Sequence, residues 1–155
     1  EPDDEMFALL RAVFSLVHAD DEIADEEREY IAAMMRIFHF NDSQQEIVYA
    51  DLDSPIDVVE LFSRLKTKAH IRQFFIMARS VIWCDGVYHD DEAEAIKRIT
   101  DYLGEHANDF EDELEQINNK PAEAEAGDGT SGQEAMMTSV VRQMMDFYKN
   151  RGTMT

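Results

Sequence analysis

The feature that most constrains this chain is an acid-rich segment that occurs twice, 65 positions apart. The first copy runs from His18 to Glu29 and the second from Trp83 to Glu94. Identical residues occupy corresponding positions in the pairs Ser15/Ser80, Asp20/Asp85, Asp25/Asp90, Glu27/Glu92, Glu29/Glu94 and Ile31/Ile96. A repeat at a fixed offset predicts two copies of one supersecondary unit.

Each copy joins two helical patterns. Residues 6–19 are apolar except for a narrow stripe of Arg11, Ser15 and His18, which is typical of a central helix packed on most sides. Residues 71–84 repeat this design, and Asp25 and Asp90 favour helix starts after the turns. The apolar positions that follow have helical spacing: Ile31, Met34, Met35 and Phe38, then Ile96, Ile99 and Leu103.

Local signals predict the connecting elements. Ser43–Glu46 is typical of a capping box and predicts a short helix ending near Leu52. Ser54–Pro55 predicts the start of the next helix. Gly104 predicts a helix end, although the apolar pattern continues through Phe110, Leu114 and Ile117, as a longer or a broken helix.

Since no window alternates as a strand would, the sequence predicts an all-α fold. Residues 1–118 are expected to form a compact helical bundle with an internal pseudo-twofold helix–turn–helix repeat. Residues 119–133 lack large apolar side chains and predict a flexible acidic linker. Residues 134–155 predict a tethered amphipathic helix.

The net charge of −20 limits the classes of molecule that the chain is expected to bind. It argues against nucleic acid and against anionic lipid, both of which are bound through Lys and Arg. It suits a cation or a basic partner, or serves solubility alone. A single cysteine, Cys84, favours a reducing, cytoplasmic location. No apolar run reaches the roughly 18 residues that a membrane-spanning helix needs. These residues therefore predict no direct membrane insertion. The presence of a membrane anchor before Glu1 is left open.

The acidic turns are candidates for a metal site. If the turns lie close together, their carboxylates repel by about 1 kcal/mol per pair at 4 Å even in water, and a divalent cation would relieve this. Oxygen ligands favour Ca²⁺, Mg²⁺ or Mn²⁺. The candidate ligands are Asp20, Asp21, Asp25, Glu27, Asp85, Asp90 and Glu92. The alternative is that these acids only cap helices and complement the helix dipole.

Other chemistry fits the residues poorly. An EF-hand needs a longer loop than the seven positions from Asp20 to Glu27. Cys84 and the dispersed histidines lack zinc spacing. A Cys84–His89 nucleophile is disfavoured because the adjacent Asp85 opposes the thiolate. We therefore expect no enzyme activity.

At these residues the chain resembles the TerB-like family, the helical domain of tellurite-resistance and stress-response proteins, similar to the N-terminal-side domain of DjlA. The family motif is a small residue, Asp-Gly, a spaced aliphatic and an acidic helix start. It is matched by Ala19–Glu27 and Cys84–Glu92, within a resemblance covering about residues 4–105. The resemblance implies an all-α bundle with both turns on one side, a divalent-metal site there, and a sensor or scaffold without known enzyme activity. Asp21 departs from the usual Gly.

The C-terminal helix has a Met-rich apolar face formed by Met137, Val140, Val141, Met144, Phe147 and Tyr148. It is expected either to fold back onto its own domain or to bind a protein partner or a second copy in a groove. Membrane-surface binding ranks third, since a dense basic face is missing. The loose basic cluster of Arg64, Lys66, Lys68 and Arg72 predicts either a solvated helix end or a counter-surface for the acids.

Overall fold

The computed structural model describes residues 3–17, 25–83, 88, 90–119 and 132–152. Its elements are α1 (Asp4–Val17), α2 (Asp25–Ile37), α3 (Asp42–Asp53), α4 (Val58–Phe62), α5 (Lys68–Ile82), α6 (Asp90–Leu103), a 3₁₀ helix (Gly104–Phe110), α7 (Glu111–Ile117) and α8 (Gly132–Gly152). No β-strand occurs in these ranges, and the predicted all-α bundle is confirmed. Among the helices described, none combines the length and apolarity needed to cross a bilayer.

The two apolar helices predicted to be central do occupy the core. α1 packs along α5 and against α4, while α5 also packs against α7 and α8, and α6 packs on α4. Phe62 of α4 contacts the rings of Phe74 and Phe75 of α5 at centroid distances of 5.2 and 5.8 Å. All three rings are fully buried, so they join α4 and α5 within one core.

The 65-residue offset of the sequence recurs in the helix bounds. α2 and α6 begin at Asp25 and Asp90, and α1 and α5 end at Val17 and Ile82. The backbone repeats it as well. His39, just beyond α2, has φ of +58°, and Gly104, just beyond α6, has φ of +56°. Both helices therefore end in the left-handed conformation at corresponding positions.

The end of α2 is a Schellman motif in which histidine occupies the position that usually holds glycine. Phe40 N–H donates to Met35 C=O at 3.0 Å, and His39 N–H donates to Arg36 C=O at 3.2 Å. Phe40 and Met35 are both buried and supply the apolar contact that accompanies this motif. The predicted end of α6 at Gly104 is confirmed, and the chain continues as a 3₁₀ helix and α7, so the pattern is a broken helix.

The predicted capping box at Ser43–Glu46 is wrong. The side chain of Asn41 accepts from Gln44 N–H at 2.8 Å, and the Gln44 side chain accepts from Asn41 N–H at 3.0 Å. Helix α3 therefore begins at Asp42. Asn41 and Gln44 have the same three-residue spacing as the predicted pair, and Asn is an equally good cap.

The predicted helix start at Ser54–Pro55 is also wrong, because α4 begins at Val58. Ser54 instead ends α3, with its N–H donating to Ala50 C=O at 2.8 Å. Its φ of −136° and ψ of 85° are not helical, as expected for a residue before proline.

Candidate metal centre at the acidic turns

The direction of the two central helices is fixed at their N-terminal ends by Glu5 of α1. Its carboxylate accepts from Lys66 N–H at 2.8 Å, from Thr67 N–H at 2.7 Å and from the Thr67 hydroxyl at 2.9 Å. Thr67 is the N-cap residue of α5 and makes no side-chain cap bond of its own. A carboxylate of α1 thus caps α5, so both helices start at the same place.

Hydrogen bonding sets the ionisation of Glu5. Burial on its own would raise its pKa, but the hydrogen bonds from Thr67 and Lys66, together with His70, outweigh burial and lower the pKa. His70 Nδ1 lies 3.5 Å from Glu5 Oε2, and the His70 side chain is only 3% exposed. Glu5 is therefore ionised near neutral pH and holds α1 and α5 together.

Because α1 and α5 start together and pack along each other, their C-terminal ends lie on one side of the bundle. The acidic turns follow those ends. A cavity of about 440 Å³ shows the proximity directly, since Ser15 and Leu16 near the end of α1 and Asp91 and Glu94 in the first turns of α6 line it. The entrance to the first turn and the exit from the second are therefore neighbours.

The described ligand candidates at this end differ in exposure. Asp25 and Asp90 are the first residues of α2 and α6, and both are exposed. Glu92 is buried in the first turn of α6, with 9% of its surface exposed. Within the described ranges, no group of three or more His, Cys, Asp or Glu side chains is arranged to hold a metal ion. Asp20, Asp21, Asp85 and the side chain of Glu27 lie outside the described part of the chain.

The Tyr88 side chain, just before α6, lies near the charge of Glu92 and against the ring of Trp83. Burial, and then the negative charge of Glu92, raise the pKa of the Tyr88 phenol, which stays protonated. The Tyr88 ring lies 5.7 Å from the Trp83 ring, and the Trp83 indole N–H donates to Ile117 C=O at 2.7 Å. Sequence reasoning missed this contact, which joins positions 34 residues apart. In the sequence, only the position of Trp83 beside the second acidic turn pointed to a role for this residue.

The cavity also contains an ion pair that the sequence did not indicate. Arg98 of α6 binds Asp57 with both guanidinium NH₂ groups, at 2.7 and 2.6 Å. Asp57 precedes α4, so this bidentate pair fixes the position of α6 beside α4. Both side chains are close to half exposed.

The members of the basic cluster are exposed, and three of them also contact acids of their own chain. Lys68 lies 3.3 Å from Asp109 of the 3₁₀ helix, and Arg72 donates to Glu113 of α7 at 2.6 Å. Arg64 lies 3.6 Å from Glu60 on the same helix end, while Lys66 Nζ donates to Ser63 C=O. These contacts attach the segment after α6 to the start of α5.

The apolar face of α8, which was expected either to fold back onto its own domain or to bind a partner, lies on α5 of the same chain. Val140 and Met144 are completely buried, and Val141 and Phe147 are half-buried. The Phe147 ring lies 5.2 Å from the His70 ring in a T-shaped contact. Met137 and Tyr148 have side chains outside the described part of the chain. In this arrangement Val140 and Met144 are unavailable to another molecule.

Comparison with known proteins gives a family and no activity. Residues 1–95 match a family described as "Protein of unknown function (DUF533)". No curated protein and no solved structure matches the chain. The match covers α1 to α5, both acidic turns and the start of α6, and it ends before α7 and α8. Because the match covers more than half of the 155 residues of the chain, the chain belongs to the DUF533 family.

Proposed function

We propose that this chain is a non-enzymatic, TerB-like module of stress response or metal resistance. It binds Ca²⁺, Mg²⁺ or Mn²⁺ between its two acidic turns and reports occupancy to a protein partner. The observation that supports this proposal is the common start of α1 and α5 at Glu5, which leaves the C-terminal ends of both helices, where the turns begin in the sequence, on one side of the bundle. The shared cavity between α1 and α6 supports it independently.

The proposed ligands are the acids that recur at the 65-residue offset: Asp20, Asp25, Glu27, Asp85, Asp90 and Glu92, with Asp21 as an additional donor from the first turn. If the turns bring these carboxylates together, the carboxylates repel one another, and a hard divalent cation is the partner that oxygen ligands favour. Glu92 is already largely withdrawn from solvent, so binding a cation there removes little further hydration.

Calorimetric titration of the whole chain with each of the three cations tests the site. We expect heat of binding at roughly millimolar metal or below, and a change in the fluorescence of Trp83, the sole tryptophan. The double variant Asp20→Asn, Asp85→Asn should lose both signals. Asp53→Asn with Asp101→Asn removes the same charge from exposed helix positions and should keep them. Absence of heat and of a fluorescence change in the native chain would refute the metal proposal.

A second candidate is a protein-interaction scaffold whose acidic turns are structural. The observation in its favour is that Asp25 and Asp90 are the first residues of their helices, where a carboxylate complements the helix dipole. The same double variant, Asp20→Asn with Asp85→Asn, separates the two candidates. A scaffold predicts a lower free energy of unfolding in a chain that never bound the metal, whereas the metal module predicts that the variant loses a measured ligand.

A further inference from the structure

Trp83 touches two parts of the molecule that are separate in sequence. It follows α5 directly, its ring contacts Tyr88 just before α6, and its indole N–H donates to the carbonyl of Ile117, the last residue of α7. Tyr88 lies two positions before Asp90, the first residue of α6, and Glu92 lies in the first turn of that helix. Through Trp83, these contacts connect the segment that leads into α6 with the end of α7.

The end of α7 is also where the chain leaves towards α8. Arg79 of α5 donates through Nε to Asn119 C=O at 3.1 Å, so a second side chain holds this point. Only residues 120–131 separate Asn119 from Gly132, the first residue of α8. The anchored end of α7 therefore sets the effective concentration of α8 at its binding surface.

Helix α8 packs on α5, the helix that contains Arg79 and is followed directly by Trp83. Gln73 of α5 donates to Gln143 C=O at 3.2 Å, and the Gln143 amide donates to the Ser80 hydroxyl at 3.2 Å. Gln143 of α8 and Gln116 of α7 line one cavity of about 100 Å³ beside Arg79. Helix α7, whose last residue Trp83 holds, therefore lies beside the site where α8 docks.

We propose that Trp83 links the second acidic turn to the docking of α8, so that a cation bound at Glu92 strengthens that docking. A cation at Glu92 holds the start of α6, keeps Tyr88 on Trp83 and thereby stabilises the hydrogen bond to Ile117. Release of α7 would lengthen the tether of α8 from twelve residues to twenty-one, from Glu111 to Ser131. Chain statistics then lower the equilibrium constant for docking of α8 about twofold. The cation-dependent part of this inference rests on the proposed function.

The first experiment needs no metal. Hydrogen exchange of the full chain, followed in peptides from α8 and normalised to α1, measures how often α8 opens. Trp83→Phe keeps a ring but removes the indole donor, and Arg79→Ala removes the second anchor. Each should speed exchange in α8 about twofold or more. Tyr102→Phe alters an exposed ring that contacts only Phe62 among the described aromatic pairs, and should leave exchange unchanged. Unchanged exchange in Trp83→Phe would overturn the link.

The second experiment adds Mg²⁺, Ca²⁺ or Mn²⁺. In the native chain, the cation should slow exchange in α8, and Trp83→Phe should bind the cation with little slowing. Linkage requires reciprocity, so a variant in which α8 no longer docks must lose cation affinity by the same factor by which the cation favours docking. Equal slowing in Trp83→Phe and the native chain would overturn the link and leave the metal site standing. Absence of cation binding would instead remove the proposed function, and the metal-free exchange would still decide the link between Trp83 and α8.

Discussion

The two central helices are related by the sequence repeat, yet different elements cover them. On α1, Arg11 is 7% exposed and binds Asp51 of α3 through two hydrogen bonds of 2.7 and 2.8 Å. The corresponding position on α5 is Ile76, which is 37% exposed. A neutral amide contact, Gln73 to Gln143, and the apolar face of α8 cover the other side of α5. The two copies of the repeat therefore share their helix bounds, while residues that differ between α1 and α5 contact different covering elements.

This difference has an energetic consequence. On α1, α3 is attached by a buried ion pair between residues 40 positions apart, whereas the cover of α5 is a tethered helix attached mainly by apolar burial. Removing one member of the ion pair leaves a buried charge, while shortening an apolar side chain on α8 leaves a cavity that undocking can relieve. We expect global loss of stability on the α1 side and local opening on the α5 side.

The largest effect is expected from Asp51→Ala. It leaves the Arg11 guanidinium, at 7% exposure, without its carboxylate, and should lower the free energy of unfolding by about 3–5 kcal/mol. Urea denaturation followed by circular dichroism measures it. Asp57→Ala breaks the bidentate pair between Asp57 and Arg98. Because both of these side chains are close to half exposed, this variant should change the free energy of unfolding far less. Equal losses in the two variants would mean that burial does not distinguish these pairs.

The next effect tests the cover of α5. Met144 is fully buried and Met145, its neighbour, is 53% exposed. Met144→Ala should cost about 2–5 kcal/mol of docking free energy, and Met145→Ala should cost very little. Hydrogen exchange in α8 should accelerate strongly in Met144→Ala while that of α1 changes little. Equal acceleration in α1 and α8 would show that α8 belongs to the cooperative core and is no separable cover.

A smaller effect is expected where the two helices meet. Glu5→Gln keeps the side-chain shape but weakens the acceptor of three hydrogen bonds at the start of α5, and should cost about 1 kcal/mol at neutral pH. Because folding lowers the pKa of Glu5, its contribution is complete above the ordinary glutamate value of 4.5 and disappears as the pH falls through the lowered pKa. Unfolding free energies of both chains from neutral to acidic pH should converge only below that value. A constant difference at all pH values would contradict the charged cap.

Sequence reasoning succeeded where the determinant is periodic. Ile31, Met34, Met35 and Phe38, predicted from helical spacing, are all buried. It misplaced the starts of α3 and α4, because neighbouring short segments carry equally good cap signals, whereas the predicted end of α3 near Leu52 is confirmed. Asp57, for example, precedes α4 without capping it, since its carboxylate binds Arg98, 41 residues away.

The candidate site shows the same limit. The repeat indicated which acids to compare, and the resemblance implied that both turns share one side of the bundle. The contact that aligns α1 with α5 joins Glu5 to Thr67, 62 residues apart, and no local pattern marks it. A side chain that caps a distant helix looks the same in sequence as an acid in the first turn of its own helix.

The smallest effect concerns the point where the repeat is kept in backbone but not in residue type. His39 has a φ of +58° and Gly104 has a φ of +56°. A side chain is strained there, so His39→Gly should raise the free energy of unfolding by about 0.5–1 kcal/mol. A Cβ at Gly104 would meet no heavy atom within 4 Å, so Gly104→Ala should lower stability by a similar amount through backbone strain alone. Denaturant midpoints of the two single variants should move in opposite directions, because one removes and the other adds the same strain. If both midpoints fell, contacts of the His39 side chain would outweigh its backbone strain, and the two helix ends would be equivalent in geometry but not in energy.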